Sequence, residues 1–225
     1  MSVTPPRVAV ISAVDSCIAP ARDAITSQLP DADVWNLLDD RLLVEARAAG
    51  EVGPDLAARM DHLIDHALEG GADAILVTCS VYGDAVRSRA ARETIPVLAS
   101  DDAGFDRVLA SGINRVLLIS PIQEGLDDST ARLAAAAEAA GQELEIVGAV
   151  AHGAHAAASR GTVALRELLV RVVEGLDARY DAVLLGQYSI APGAPALEQA
   201  TGLPVFTTPG AAGERLAELV TAAAS

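Results

Sequence analysis

The sequence contains no lysine; all sixteen basic residues are arginine. That absence removes whole mechanisms. An enzyme that anchors pyridoxal phosphate as a lysine Schiff base is excluded, and a P-loop nucleotidase would miss the lysine that reaches its phosphates. Any carbanion chemistry must run without an internal-aldimine electron sink. Positive charge is scarce altogether: 16 basic residues stand against 31 acidic ones, a formal charge of −15. This argues against nucleic acid as a partner, because phosphate backbones are bound through basic patches. A small anionic ligand remains possible, since backbone N–H groups bind anions locally. No apolar run approaches the ~18 residues of a membrane span. The opening MSVTPPR lacks the charged-then-apolar pattern of a signal peptide. The expectation is a cytoplasmic protein with no membrane partner. The two cysteines, Cys17 and Cys79, do not suggest a disulfide framework. His62 and His66 have metal-like i, i+4 spacing, but they fall opposite the apolar face of a helix, so no metal is expected.

What is present is hydrophobic: 51% of 225 residues, enough for one large domain or two small ones. The organising stretch is Ala72–Gly83, ADAILVTCSVYG. Its apolar run reads as a buried strand. It stops at Thr78, Cys79 and Ser80, and a helical segment opens at Gly83-Asp84. A cysteine therefore sits where a strand's carboxyl end meets a helix's amino end. Open α/β sheets bind ligands at that edge, and a helix amino end favours anions and lowers a thiol's pKa. Cys79 is expected to be an activated thiol, below the ~8.5 of free cysteine.

The stretch has a twin 108 residues on. Asp73-Ala-Ile-Leu-Val-Thr-Cys79-Ser80 matches Asp181-Ala-Val-Leu-Leu-Gly-Gln187-Tyr188. The same offset carries Arg7–Ser12 onto Arg115–Ser120, Ile95–Leu98 onto Leu203–Phe206, and Arg107 onto Arg215. Three strand-like blocks at one gap-free offset imply two copies of one α/β unit. The expected division is residues 1–100 with 209–225 against 101–208. Strands alternating with helices predict parallel sheets with right-handed crossovers. Two such sheets would bring Cys79 and Gln187 to facing edges of one cleft. The clearest helix is Pro54–Glu69, with Leu56, Met60, Leu63, Ile64, Ala67 and Leu68 on its apolar face. Arg41–Gly53 reads as a short helix and loop, and Leu126–Ala140 as an alanine-rich helix. Ala151–Gly161 reads as a small-residue loop, Pro192 and Pro195 as flanking a turn, and Ala211–Ala224 as the last helix, equivalent to Ala103–Ser111.

These residues resemble the aspartate/glutamate/hydantoin racemase superfamily. The resemblance rests on two α/β repeats, Thr78-Cys79-Ser80 at one central strand end and Leu185-Gly186-Gln187 at the twin position. Val14-Asp15-Ser16 is similar to the Asp-Ser of glutamate racemases, with Cys17 where glycine usually follows. Asn36–Asp39 and Gly186–Ala191 resemble an uncharacterised branch. The resemblance implies a cofactor-independent homodimer acting at the carbon beside a carboxylate. It further implies two cysteines, one per repeat, working on opposite faces of that carbon. Helix-end N–H groups would hold the carboxylate and the enediolate formed from it.

Here the second cysteine is Gln187, whose amide has no useful proton transfer near neutral pH. Cys79 is the leading catalytic candidate; His152 or His155 is a candidate for the missing proton carrier. Ser12, Asp15, Ser16, Thr78, Ser80, Val81, Tyr82, Ser120, Gln187, Tyr188, Ser189 and Thr208 are candidates to bind the substrate carboxylate, some by backbone N–H. Cys17 reads as ordinary packing. The first functional reading is a racemase or isomerase of a small acid. The alternatives are a single-cysteine decarboxylase or lyase, thiolate addition to a double bond as in maleate isomerases, or a small-carboxylate-binding protein without turnover.

Overall fold

Across residues 5–223, the part of the chain that the computed structural model describes, strands and helices alternate as β1 (Arg7–Ser12), α1 (Ile18–Gln28), β2 (Asp33–Leu38), α2 (Arg41–Ala49), α3 (Pro54–Glu69), β3 (Ala74–Val77), α4 (Gly83–Ala90), β4 (Val97–Leu98) and α5 (Asp102–Ala110). They continue as β5 (Arg115–Ser120), α6 (Gln123–Ala139), β6 (Glu145–Val150), α7 (Ala154–Ser159), α8 (Thr162–Glu174), β7 (Ala182–Leu185), α9 (Ala194–Thr201), β8 (Val205–Thr207) and α10 (Thr208–Ala223). The strands form two four-stranded parallel sheets, ordered β2-β1-β3-β4 and β6-β5-β7-β8. The chain divides into two compact units. One holds the residues up to Ala103 and from Ala212 on; the other is Gly104–Ala211. Both boundaries fall inside helices, α5 and α10. The expected last helix ends at Ala224, which lies outside the described residues.

The internal repeat extends to individual hydrogen bonds. Thr78 N–H donates to Ile11 O at 2.9 Å, and Gly186 N–H to Ile119 O at 3.0 Å. Ile75 N–H reaches Pro96 O at 2.8 Å, as Val183 N–H reaches Pro204 O at 2.9 Å. Register repeats too: Val8 pairs with Ala74, and Val116 with Ala182. Even the lead-in ion pair recurs, as Arg7–Asp33 at 2.8 Å and Arg115–Glu145 at 2.7 Å.

Each central strand is buried on both faces, which is why β3 and β7 read as continuous apolar runs. In the first unit Ile11, Ile75 and Val77 meet Leu42 of α2 and Met60 and Ile64 of α3. Leu117, Ile119, Val183 and Leu185 of the second unit meet Leu165 and Leu169 of α8 and Leu197 of α9. On the opposite face Val116, Leu118 and Leu184 pack with Phe105 and Val108 of α5 and Leu133 of α6. Each such side chain removed from water contributes about 1.5–3 kcal/mol.

Two stretches differ from the sequence reading. The loop expected at Ala151–Gly161 contains α7, which starts after Gly153 at φ 80°. Its alanines are strong helix formers; Ala154 and Ala157 are small enough to be fully buried, Ala154 in the same cluster as Leu165 and Leu169 of α8. The expected turn around Pro192 and Pro195 is a 3₁₀ segment, Tyr188–Gly193, running into α9. Pro195 occupies the first turn of α9, where its missing N–H costs nothing.

Candidate active site

In a parallel sheet every strand ends at the same edge, so the loops after β1, β3 and β4 gather there in the first unit. Cys79 leaves β3 in extended conformation, φ −99° and ψ 109°, directly before the one-turn 3₁₀ segment Ser80–Tyr82. The N–H groups of Val81 and Tyr82 face its sulfur. Thr78 fixes this exit from two sides. Its N–H bonds β1, and its hydroxyl donates to Ser12 Oγ at 3.0 Å. Tyr82 is fully buried and its phenol donates to Leu42 O at 2.9 Å. The Tyr82 hydroxyl therefore ties the turn to α2, leaving its backbone N–H as the part that faces the sulfur. Ser80 is half-buried, Val81 exposed.

Cys17 ends the 3₁₀ turn Asp15–Cys17 that follows β1, in which Asp15 and Ser16 are exposed. Its sulfur lies within reach of the Thr78 side chain and feels the charge of Cys79. The packing residue of the sequence reading is thus a neighbour of the candidate thiol. Burial, then the Cys79 charge, and further Asp15 and Asp101 push the Cys17 thiol up to about 12. Burial chiefly, with Asp101, pushes Cys79 up to about 11. The N–H groups of Val81 and Tyr82 and the Arg47 charge oppose that rise without cancelling it. The expectation of an activated thiolate is corrected: desolvation outweighs the few N–H groups that one 3₁₀ turn supplies. At neutral pH both groups are thiols.

The second unit repeats the backbone with different chemistry. Gln187 leaves β7 extended, φ −140° and ψ 145°, before its own 3₁₀ segment. Ile190 N–H donates to Gln187 O at 3.2 Å, as Tyr82 N–H donates to Cys79 O at 3.2 Å. Ser120 is fully buried and its hydroxyl donates to Ile122 O at 3.0 Å. Tyr188, Ser189 and Thr208 are buried. Thr207, not Thr208, caps α10, accepting from Gly210 N–H at 3.0 Å. His152 follows β6 and His155 lies on α7; both are exposed. His62 and His66 are exposed on α3, and the His66 ring lies against Trp35 with centroids 5.2 Å apart. Among the described residues no group of three or more His, Cys, Asp or Glu is placed to hold a metal ion, and no helix is long and apolar enough to cross a membrane.

Sequence reasoning missed Asp101, just before α5, and Arg47, in the last turn of α2, which act on Cys79 through space, and Gly125, whose bare Cα leaves room for the Gln187 amide. None of the three stands in a motif. An open hollow of about 580 Å³ lies at the opposite, amino end of the second sheet, lined by Asn114, Arg115, Glu143, Glu145 and Asp181. It contains none of the chemistry-bearing residues above.

Comparison with known structures shows the same fold. A glutamate racemase from Francisella tularensis, solved with D-glutamate, superposes with a TM-score of 0.71 at 15% identity, covering 99% of this chain and 83% of its own. An aspartate racemase from Picrophilus torridus gives 0.68 at 18% identity, covering 97% and 94%. An allantoin racemase from Klebsiella pneumoniae gives 0.67 at 14% identity, covering 97% and 89%. A search of curated protein sequences returns no match. The sequence model of the Asp/Glu/Hydantoin racemase family matches residues 9–216, nearly the whole chain including both strand-end loops, and the chain belongs to that family.

Proposed function

We propose that this chain is a cofactor-independent enzyme that moves a proton at the carbon beside the carboxylate of a small acid, with Cys79 as the proton-exchanging group. The observation that supports it is the placement of Cys79. A partly exposed thiol stands at the carboxyl end of β3, with two backbone N–H groups turned toward its sulfur. A thiol held neutral is poised to protonate an enediolate. Exchange starts from the minor thiolate form, which the Val81 and Tyr82 N–H groups stabilise: it takes the α-proton, and the thiol so formed, after exchange with solvent, returns a proton to the enediolate. Ser12 and Thr78 hold the loop; Ser80 and Val81 are the proposed substrate contacts, with Asp15 and Ser16 at the exposed edge.

A second reading has an observation in its favour. Cys79 is a neutral thiol with one proton to give, and the equivalent strand end of the second unit carries an amide rather than a second thiol. Decarboxylation of a malonate-type acid fits that count. Loss of carbon dioxide leaves an enediolate, one proton from Cys79 completes the product, and solvent restores the thiol.

The two are separated by incubating the protein in D₂O with amino acids, hydantoins, malonates and maleate. α-Proton exchange, optical rotation and carbon dioxide release are followed. Exchange with loss of rotation supports the racemase reading, and His152→Ala and His155→Ala then identify the second carrier. Carbon dioxide release with one deuteron incorporated supports the lyase. If Cys79→Ala leaves every activity in the panel unchanged, the chain is a carboxylate-binding protein.

A further inference from the structure

The Gln187 amide does not hang free from its strand end. A Cβ placed at Gly125 would stand 2.3 Å from Gln187 Nε2, 2.8 Å from Ser120 Oγ and 3.3 Å from Ile122 Cγ1. Real Cβ atoms do not tolerate the first two distances. The amide nitrogen, the Ser120 hydroxyl and the Ile122 side chain therefore converge on one point, and only glycine leaves it open. Gly125 has no backbone reason to be glycine, since it lies within α6 and carries no positive φ. A glycine inside a helix costs about 0.5–1 kcal/mol relative to alanine, so its room for Gln187 is the compensating feature.

The chemistry of the converging groups differs from that of the first unit. The Ser120 hydroxyl donates to Ile122 O and accepts at 3.5 Å from Ile122 N–H, which leaves one lone pair for another donor. The Gln187 amide nitrogen has two N–H donors and no titration near neutral pH. Where the first unit presents a thiol, the second presents a neutral amide donor that binds an anion without exchanging a proton with it.

We propose that Gly125 is a specificity-determining position: its missing side chain seats the Gln187 amide beside Ser120, where the amide donates a hydrogen bond to a carboxylate of the substrate. The inference rests on the strand ends being the substrate site. It adds the class of group recognised by the second unit, a carboxylate oxygen with a free lone pair, as in a malonate-type diacid. The substitution Gly125→Ala displaces the amide without breaking the helix, because what the added methyl strikes first is the end of a flexible side chain.

The test uses the full chain, with malonate as probe. The side-chain amide signals of Gln187 are assigned in ¹⁵N spectra by their loss in Gln187→Ala, and malonate is titrated. The expected result is that malonate moves these signals. Gly125→Ala and Gln187→Ala should each weaken malonate about tenfold, the worth of one hydrogen bond to a charged group. The double variant should bind no more weakly than either single one. Gln187→Asn, which withdraws the amide by one methylene and leaves α6 untouched, should give the same loss and guards against a folding defect in Gly125→Ala. Malonate that leaves the Gln187 signals unmoved overturns the proposal, as does a double variant whose losses multiply. If those signals stay still while Cys79→Ala still abolishes proton exchange, the enzyme reading survives and the amide role fails. If malonate moves them and no substrate is turned over, the amide site stands and the enzyme reading fails.

Discussion

The ends of β3 and β7 share a backbone and differ in chemistry. Their lead-in and exit hydrogen bonds agree within a tenth of an ångström. At the centre, however, Thr78-Cys79-Ser80 faces Gly186-Gln187-Tyr188 in the alignment of the repeat. The first unit has two half-buried thiols, a hydroxyl ladder from Thr78 to Ser12 and a charged neighbour, Asp101. The second has an amide seated over a glycine. A duplicated frame positions the loops, and what each loop does depends on one or two side chains. The symmetry of the fold therefore does not carry over to symmetry of mechanism.

The sharpest break in the comparison is functional. Cys79→Ala should reduce turnover, followed as deuterium incorporation, by about 10²–10⁴-fold, the usual contribution of a positioned acid or base. Gln187→Ala should cost about tenfold, because it removes a hydrogen bond and no proton. Equal losses would mean the twins play equal parts. The frame itself should respond symmetrically. Ile11→Ala and Ile119→Ala, both fully buried at twin positions, should each cost about 2–5 kcal/mol in urea unfolding. A large inequality would show that the repeat in backbone is not a repeat in packing.

The thiols allow a finer test, since only the first unit has them. In the folded chain Cys79 and Cys17 are pushed up to about 11 and about 12, above the ~8.5 of an unfolded cysteine. The native state thus holds protons that the unfolded chain has lost. Their contribution is complete below the unfolded value and disappears as pH rises through the folded ones. The urea midpoint should fall between about pH 9 and 11, and Cys17→Ser with Cys79→Ser should flatten that fall. Alkylation of Cys79 should accelerate over the same interval rather than near neutrality. A rate already at its plateau at pH 8 would reinstate the activated thiolate. The smallest difference concerns the lead-in ion pairs, which are exposed and worth about 0–1 kcal/mol each. Arg7→Ala should cost slightly more than Arg115→Ala, because Arg7 also donates to Gly70 O at 2.7 Å.

Much of the architecture was written in local pattern. Runs such as Ala74–Val77 are apolar on every residue because both faces of a central parallel strand are covered, so they read as strands without a partner in view. The offset of 108 residues identified the repeat because side chains that must fill equivalent core positions are chosen alike. Cys79 could be found because a strand end followed by a helix start is a sequence-local event. Helices α7 and α9 were hidden because glycine, alanine and proline serve both turns and helix starts, and only packing against α8 decides between them. The protonation of Cys79 could not be read at all. Burial is a sum over residues distant in the chain, and Asp101 and Arg47 come to bear on the sulfur only once the chain has folded. The seat of Gln187 was equally invisible, since the space it fills is the absence of a side chain at Gly125, sixty-two residues earlier. Sequence determined the strands, the repeat and the thiol; tertiary structure decided the protonation state and the available space, because desolvation and excluded volume depend on proximity in space and not along the chain.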